Sequence, residues 1–114
     1  MKIINLQEFM KLPSGTVFCK YKPCVFGDIC IKGDWVTDTD FVYASLTGEI
    51  DCTGSNDMID KLFKYEKTGE SFNLDLDAYT RDGLYEKNQL FAVYEKRDIA
   101  QLVKKLEELL WNTQ

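Results

Sequence analysis

Seven carboxylates fall in a stretch that contains no basic residue. Between Lys32 and Lys61 the chain carries Asp34, Asp38, Asp40, Glu49, Asp51, Asp57 and Asp60. Oxygen ligands in such a run suit three kinds of chemistry. They can hold a hard divalent cation, share acid–base work as a pair, or present a single-sign field to a positively charged partner. A calcium loop needs D-x-D-x-D-G and a glutamate at its twelfth position. Asp38-Thr39-Asp40-Phe41-Val42 breaks that pattern, and so does Asp75-Leu76-Asp77-Ala78-Tyr79. Carboxylate-pair hydrolysis requires a separation of about 5–9 Å across a cleft, and no spacing here singles out such a pair. Three readings stay open: solvated loop and helix-start residues; an acidic face that binds a partner, since blocks of like charge are commonly interaction surfaces; or an oxygen-ligand metal site. In the second reading the contact residues are Asp34, Trp35, Asp38, Asp40, Glu49 and Asp51. Trp35 is either a half-buried anchor on the sheet or an exposed aromatic next to charges, which interfaces favour.

The acidity is confined to this block. Residues 1–32 carry a net charge of +3 and residues 61–114 a net charge of −1, against −7 between them. With an isoelectric point near 4.7 the chain lacks the basic stripe that neutralises phosphates, so direct nucleic-acid binding is not expected. The partner that fits is a protein with a basic surface. Histidine is absent, which removes Ser-His-Asp and Cys-His nucleophiles in their usual form and His-based metal centres. The four cysteines, Cys19, Cys24, Cys30 and Cys52, are separated by four, five and twenty-one residues. Those spacings do not make the two close knuckles of a structural zinc site, and reduced thiols are expected. No cofactor and no enzymatic activity are implied. An alternative site would gather Lys20, Tyr21 and Lys22 with Tyr65, Tyr79 and Tyr85 around a small anionic ligand such as a nucleotide-like signal. The competing reading makes those tyrosines amphipathic residues at the rim of the core.

The elements that position these groups follow from periodicity. Residues 6–12 read as a short amphipathic helix capped by Asn5. Residues 16–21 and 28–32 alternate as a hairpin, 33–40 as a loop, and 41–46 as a third strand. A helix is predicted from Ser55 to about Lys67, stopped by Gly69. Residues 71–76 alternate as a half-buried strand, and 89–95 form a nearly continuous apolar run suited to a central strand. Asp98-Ile99-Ala100-Gln101 has the form of a capping box. After it, Ile99, Leu102, Val103, Leu106, Leu109 and Leu110 fall on one face, expected to be buried as a structural pillar. Together these predict an α+β fold in one domain over residues 1–114. It would hold a mainly antiparallel sheet of four to six strands, two to three helices packed on one face, and a long C-terminal helix.

No apolar run reaches the ~18–20 residues needed to span a bilayer, and the opening residues lack the apolar core of a secretory signal. A cytoplasmic protein that avoids membranes is expected, with homodimerisation left open. The opening MKIINLQEFMKLPSGTVF and the closing QLFAVYEKRDIAQLVKKLEELL resemble the small, uncharacterised proteins encoded by bacteriophages and prophages. The resemblance covers most of the chain and carries no catalytic residues. It implies an accessory role inside a bacterial host: an inhibitor that binds and blocks a host protein, an antiviral defence component being one such target.

Overall fold

The computed structural model describes residues 1–83 and 86–113. In chain order the elements are β1 (Lys2–Ile4), α1 (Leu6–Met10), β2 (Val17–Lys22), β3 (Val25–Phe26), β4 (Cys30–Thr37), β5 (Asp40–Ser45), α2 (Ser55–Thr68), β6 (Tyr79–Arg81), β7 (Leu90–Val93) and α3 (Lys96–Asn112). The strands form one antiparallel sheet in the order β1-β7-β2-β4-β5-β6, with β3 folded back on β2. The α+β class, the antiparallel sheet and the long C-terminal helix are as predicted, while the described residues form seven strands where four to six were expected. The apolar run of β7 is an interior strand, between β1 and β2.

The core lies between one face of the sheet and α1. Period-2 alternation sends Phe18 of β2 and Phe91 of β7 to that face, where Phe9 of α1 meets them with Phe41 and Cys30. Phe9 stacks on Phe91 with ring centroids 3.9 Å apart and meets Phe18 and Phe41 edge-on at 4.7 and 5.1 Å. Such aromatic contacts contribute roughly 0.5–1.5 kcal/mol each beyond area burial. A helix of five residues cannot hold itself in water, so local bonds secure α1. Asn5 Oδ1 accepts from the Glu8 amide at 2.9 Å, which is the predicted cap. At the other end Lys32, only 2% exposed, donates from Nζ to the carbonyls of Met10 (3.3 Å) and Leu12. Its ammonium also lies 5.2 Å from the Phe9 ring centroid. Burial lowers the Lys32 pKa.

Four expectations need correction. Residues 33–37 are not a loop. The alternation resumes after an irregularity beyond Lys32, and β4 runs on to Thr37. Residues 71–76 do not form a strand. Beyond β5 the pairing edge is taken by β6, through Val42–Arg81, Tyr43–Thr80 and Ala44–Tyr79, and Leu74 makes only an isolated bridge to Ile50. The capping box at the last helix lies three residues earlier than predicted: Glu95 is the cap and Asp98 the third helical residue. Asp98 Oδ2 accepts the Glu95 amide at 2.8 Å and pairs with the Met1 ammonium, also at 2.8 Å. Finally, α3 is no pillar, because none of its side chains is buried, and the same holds for α2. The radius of gyration, 16.1 Å, accordingly exceeds the roughly 13 Å expected for a chain of this length.

Candidate functional site at the β4–β5 hairpin tip

Strands β4 and β5 are joined by only two residues, Asp38 and Thr39. Their register is regular from Cys30–Ser45 to Lys32–Tyr43, then shifts before Trp35–Phe41 and again before Thr37–Asp40. Between Lys32 and Trp35 two residues, Gly33 and Asp34, stand against the single Val42, the signature of a bulge, which bends a strand and re-aims its side chains. Glycine is required at the bend. A Cβ on Gly33 would lie 2.6 Å from Val42 Cγ2 and 3.1 Å from both the Val42 carbonyl and Tyr79 Cδ1. Past the bulge Trp35 is 66% exposed, with Val36 exposed beside it. Asp34 Oδ1 accepts a hydrogen bond from the Ser14 hydroxyl at 2.7 Å, which ties the bulge to the α1–β2 turn. Trp35 and Asp38 share a shallow recess of about 200 Å³ with Met10 and Lys11. A separate groove of about 300 Å³ is lined by Ser14, Asp34, Val42 and Tyr79, among others.

The acidic block does not gather on one surface. Asp34 and Asp38 are exposed at the hairpin tip. Glu49 and Asp51 are also exposed, but they lie beyond the far end of β5, a strand about 17 Å long by its residue count. Asp40 leaves the set altogether, being 1% exposed. Its Oδ2 pairs with Arg81 Nε, while Oδ1 accepts the amides of Gly83 and Phe41 at 2.9 and 3.0 Å. The Gly83 amide first, then the Arg81 guanidinium, hold its carboxyl below the usual carboxylate range. Asp57 is likewise absorbed internally, accepting the Thr53 amide at 2.9 Å and pairing with Lys61 at 3.2 Å.

The five described residues of the alternative ligand site do not converge on one pocket. Lys20 is paired with Asp82. Tyr21 and Lys22 line an open groove of about 380 Å³ with Pro23 and Gln89. Tyr65 stacks on Phe72 with ring centroids 5.0 Å apart, and Tyr79 borders the Asp34 groove. Tyr85 lies outside the described residues. Among the described residues no three His, Cys, Asp or Glu side chains converge in a way that would hold a metal ion. Cys19 and Cys30 are buried, Cys24 is exposed and Cys52 half-buried.

Two parts of this surface were not read from the sequence. Ser14, Met10 and Lys11 reach the tip only because α1 folds under the sheet, and no local pattern announces that. Val36 had a visible cue, the resumed alternation Trp35-Val36-Thr37, masked by the polar residues around it. Among the described residues no helix is long and apolar enough to cross a membrane. No family model, no curated protein and no solved structure matches this chain.

Proposed function

We propose that this chain is a non-enzymatic accessory protein of the phage type. It works in the cytoplasm of a bacterial host and inhibits a host protein, an antiviral defence component for example, by binding its basic surface. The observation that supports this reading is Trp35, 66% exposed between two exposed carboxylates, Asp34 and Asp38, on a hairpin whose turn is anchored by buried Asp40. An aromatic anchor ringed by charge is how interfaces concentrate affinity and select a partner of opposite sign. The contact set is therefore narrowed from the whole acidic block to Asp34, Trp35 and Asp38, with Glu49 and Asp51 outside it.

The test is capture of host proteins on the immobilised chain, followed by affinity measurement on the captured partner. Trp35→Ala is expected to weaken binding roughly thirty-fold, the size of an interface hot spot. Asp34→Lys with Asp38→Lys is expected to slow association and to remove its salt dependence. Both variants should keep a thermal stability within about 1 kcal/mol of the parent, as surface changes do. Full binding by both variants would refute the proposal.

A further inference from the structure

The apolar face of α3 is covered only at its start. Ile99 and Leu102 are half-buried, whereas Leu106, Leu109 and Leu110 are 56%, 52% and 69% exposed. A helix of this length is marginal in water by itself, and apolar residues at i, i+3, i+4 and i+7 make the seam of a helix pair. The other exposed helix does not match it. The stripe of α2, Ile59, Leu62 and Phe63, meets Glu66 seven residues after Ile59, on the same face.

The shoulders of the α3 stripe identify its occupant. At 3.6 residues per turn, Lys105 and Glu107 stand about 100° to either side of Leu106. Lys104 and Glu108 fall on the back of the helix. In a parallel two-fold pair the left shoulder of one helix faces the right shoulder of the other, so Lys105 meets Glu107 of the second copy along both edges. An antiparallel pair would instead set lysine against lysine and glutamate against glutamate. Lys105 now lies 3.4 Å from Glu108 of its own helix, an exposed pair, and such pairs exchange partners at little cost.

We propose that this chain self-associates through the C-terminal part of α3. A second copy would lie parallel to the first, covering Val103, Leu106, Leu109 and Leu110, with Lys105 and Glu107 of opposite copies paired across the seam. The surface is independent of the hairpin tip. A seam of four apolar side chains from one helix is expected to give a weak dimer, to be sought over about 1–100 µM.

Sedimentation of the full chain across that range tests this, the mass expected to rise from 13.2 kDa toward twice that value. Leu106→Glu, at an exposed position, should stay monomeric while keeping the parent's circular dichroism spectrum and thermal midpoint. Lys105→Glu alone and Glu107→Lys alone should each associate at least ten-fold more weakly. Mixed together they should restore the parent's affinity, because their shoulders are then complementary again. A monomer at every concentration, undiminished association of Leu106→Glu, or Lys105→Glu associating as tightly as the parent would overturn the proposal.

Discussion

Asp40 and Arg81 are joined side chain to side chain across the β5–β6 edge, with Asp40 sealed from solvent. The pair sits at the start of β5, directly behind the exposed hairpin tip, and Asp40 also gathers the amides of Phe41 and Gly83. One carboxylate thus anchors the turn into β5 and the end of β6 together. Its role is to position the tip, and it is not available to a partner.

This anchor makes stability depend on acidity in a definite direction. The folded pKa of Asp40 is lowered, by the Gly83 amide first and Arg81 second. A carboxyl depressed in the folded state contributes fully above its unfolded pKa of about 3.9 and loses that contribution as pH falls through the folded value. Asp40→Asn is therefore expected to lower the thermal midpoint near neutral pH. The gap between variant and parent should narrow steadily below about pH 3.9. Thermal unfolding followed at a series of pH values checks both; a gap independent of pH would contradict the assignment.

Phe9 is the one core side chain supplied by α1, and it touches Phe18, Phe41 and Phe91. Phe9→Ala should cost about 3–5 kcal/mol, the range for a buried aromatic reduced to alanine. Denaturant unfolding measures this. The loss should exceed that of any single apolar truncation in α2 or α3, because those helices bury no side chain.

Gly33→Ala should cost about 1–3 kcal/mol, as overpacking does. The new methyl meets not only Val42 Cγ2 but the Val42 carbonyl, which cannot rotate away. Relaxing the bulge would also re-aim Trp35, so the Trp35 fluorescence maximum should shift in a Trp111→Phe background. Gly54→Ala is the control. A methyl added there would meet nothing within 4 Å and the backbone is extended, so the change should cost only the roughly 0.5–1 kcal/mol of replacing a glycine N-cap by alanine.

The four thiols should react in order of access. Cys24 is exposed and should be modified first, Cys52 later. Cys19 and Cys30 are buried, and burial pushes the Cys30 pKa up to about 11, which leaves almost no thiolate at neutral pH. Timed alkylation with mass readout should show at most two fast sites in the folded protein and four after denaturation.

Much of the local structure is legible in the chain because its signals act over three or four residues. The Asn5 cap forms as its position before Leu6 predicts. The helix beginning at Ser55 ends at Gly69, whose φ of +70° is the left-handed turn glycine supplies. The alternation of Val17–Lys22 and the apolar run Leu90–Val93 become paired neighbours. Residues 71–76 show the limit of that reasoning. Phe72, Leu74 and Leu76 alternate as a strand should, but a strand exists only where an edge is free, and β6 already occupies the outer edge of β5.

The candidate site divides in the same way. The residue types at the tip, an indole between carboxylates, and the lack of any basic residue between Lys32 and Lys61 are properties of the chain alone, whereas Lys11 borders the Trp35 recess only through the fold. Asp38 and Asp40 differ in nothing that sequence can express. One is exposed and the other buried because the hairpin turns between them and brings Arg81 and Gly83, more than forty residues away, onto the second. The amphipathic stripe from Ile99 to Leu110 was likewise determined by the sequence, since helical periodicity needs no partner. Whether that stripe is covered depends on where the sheet ends, and there the tertiary structure decided: the sheet buries its apolar face against α1 and leaves most of α3 in water.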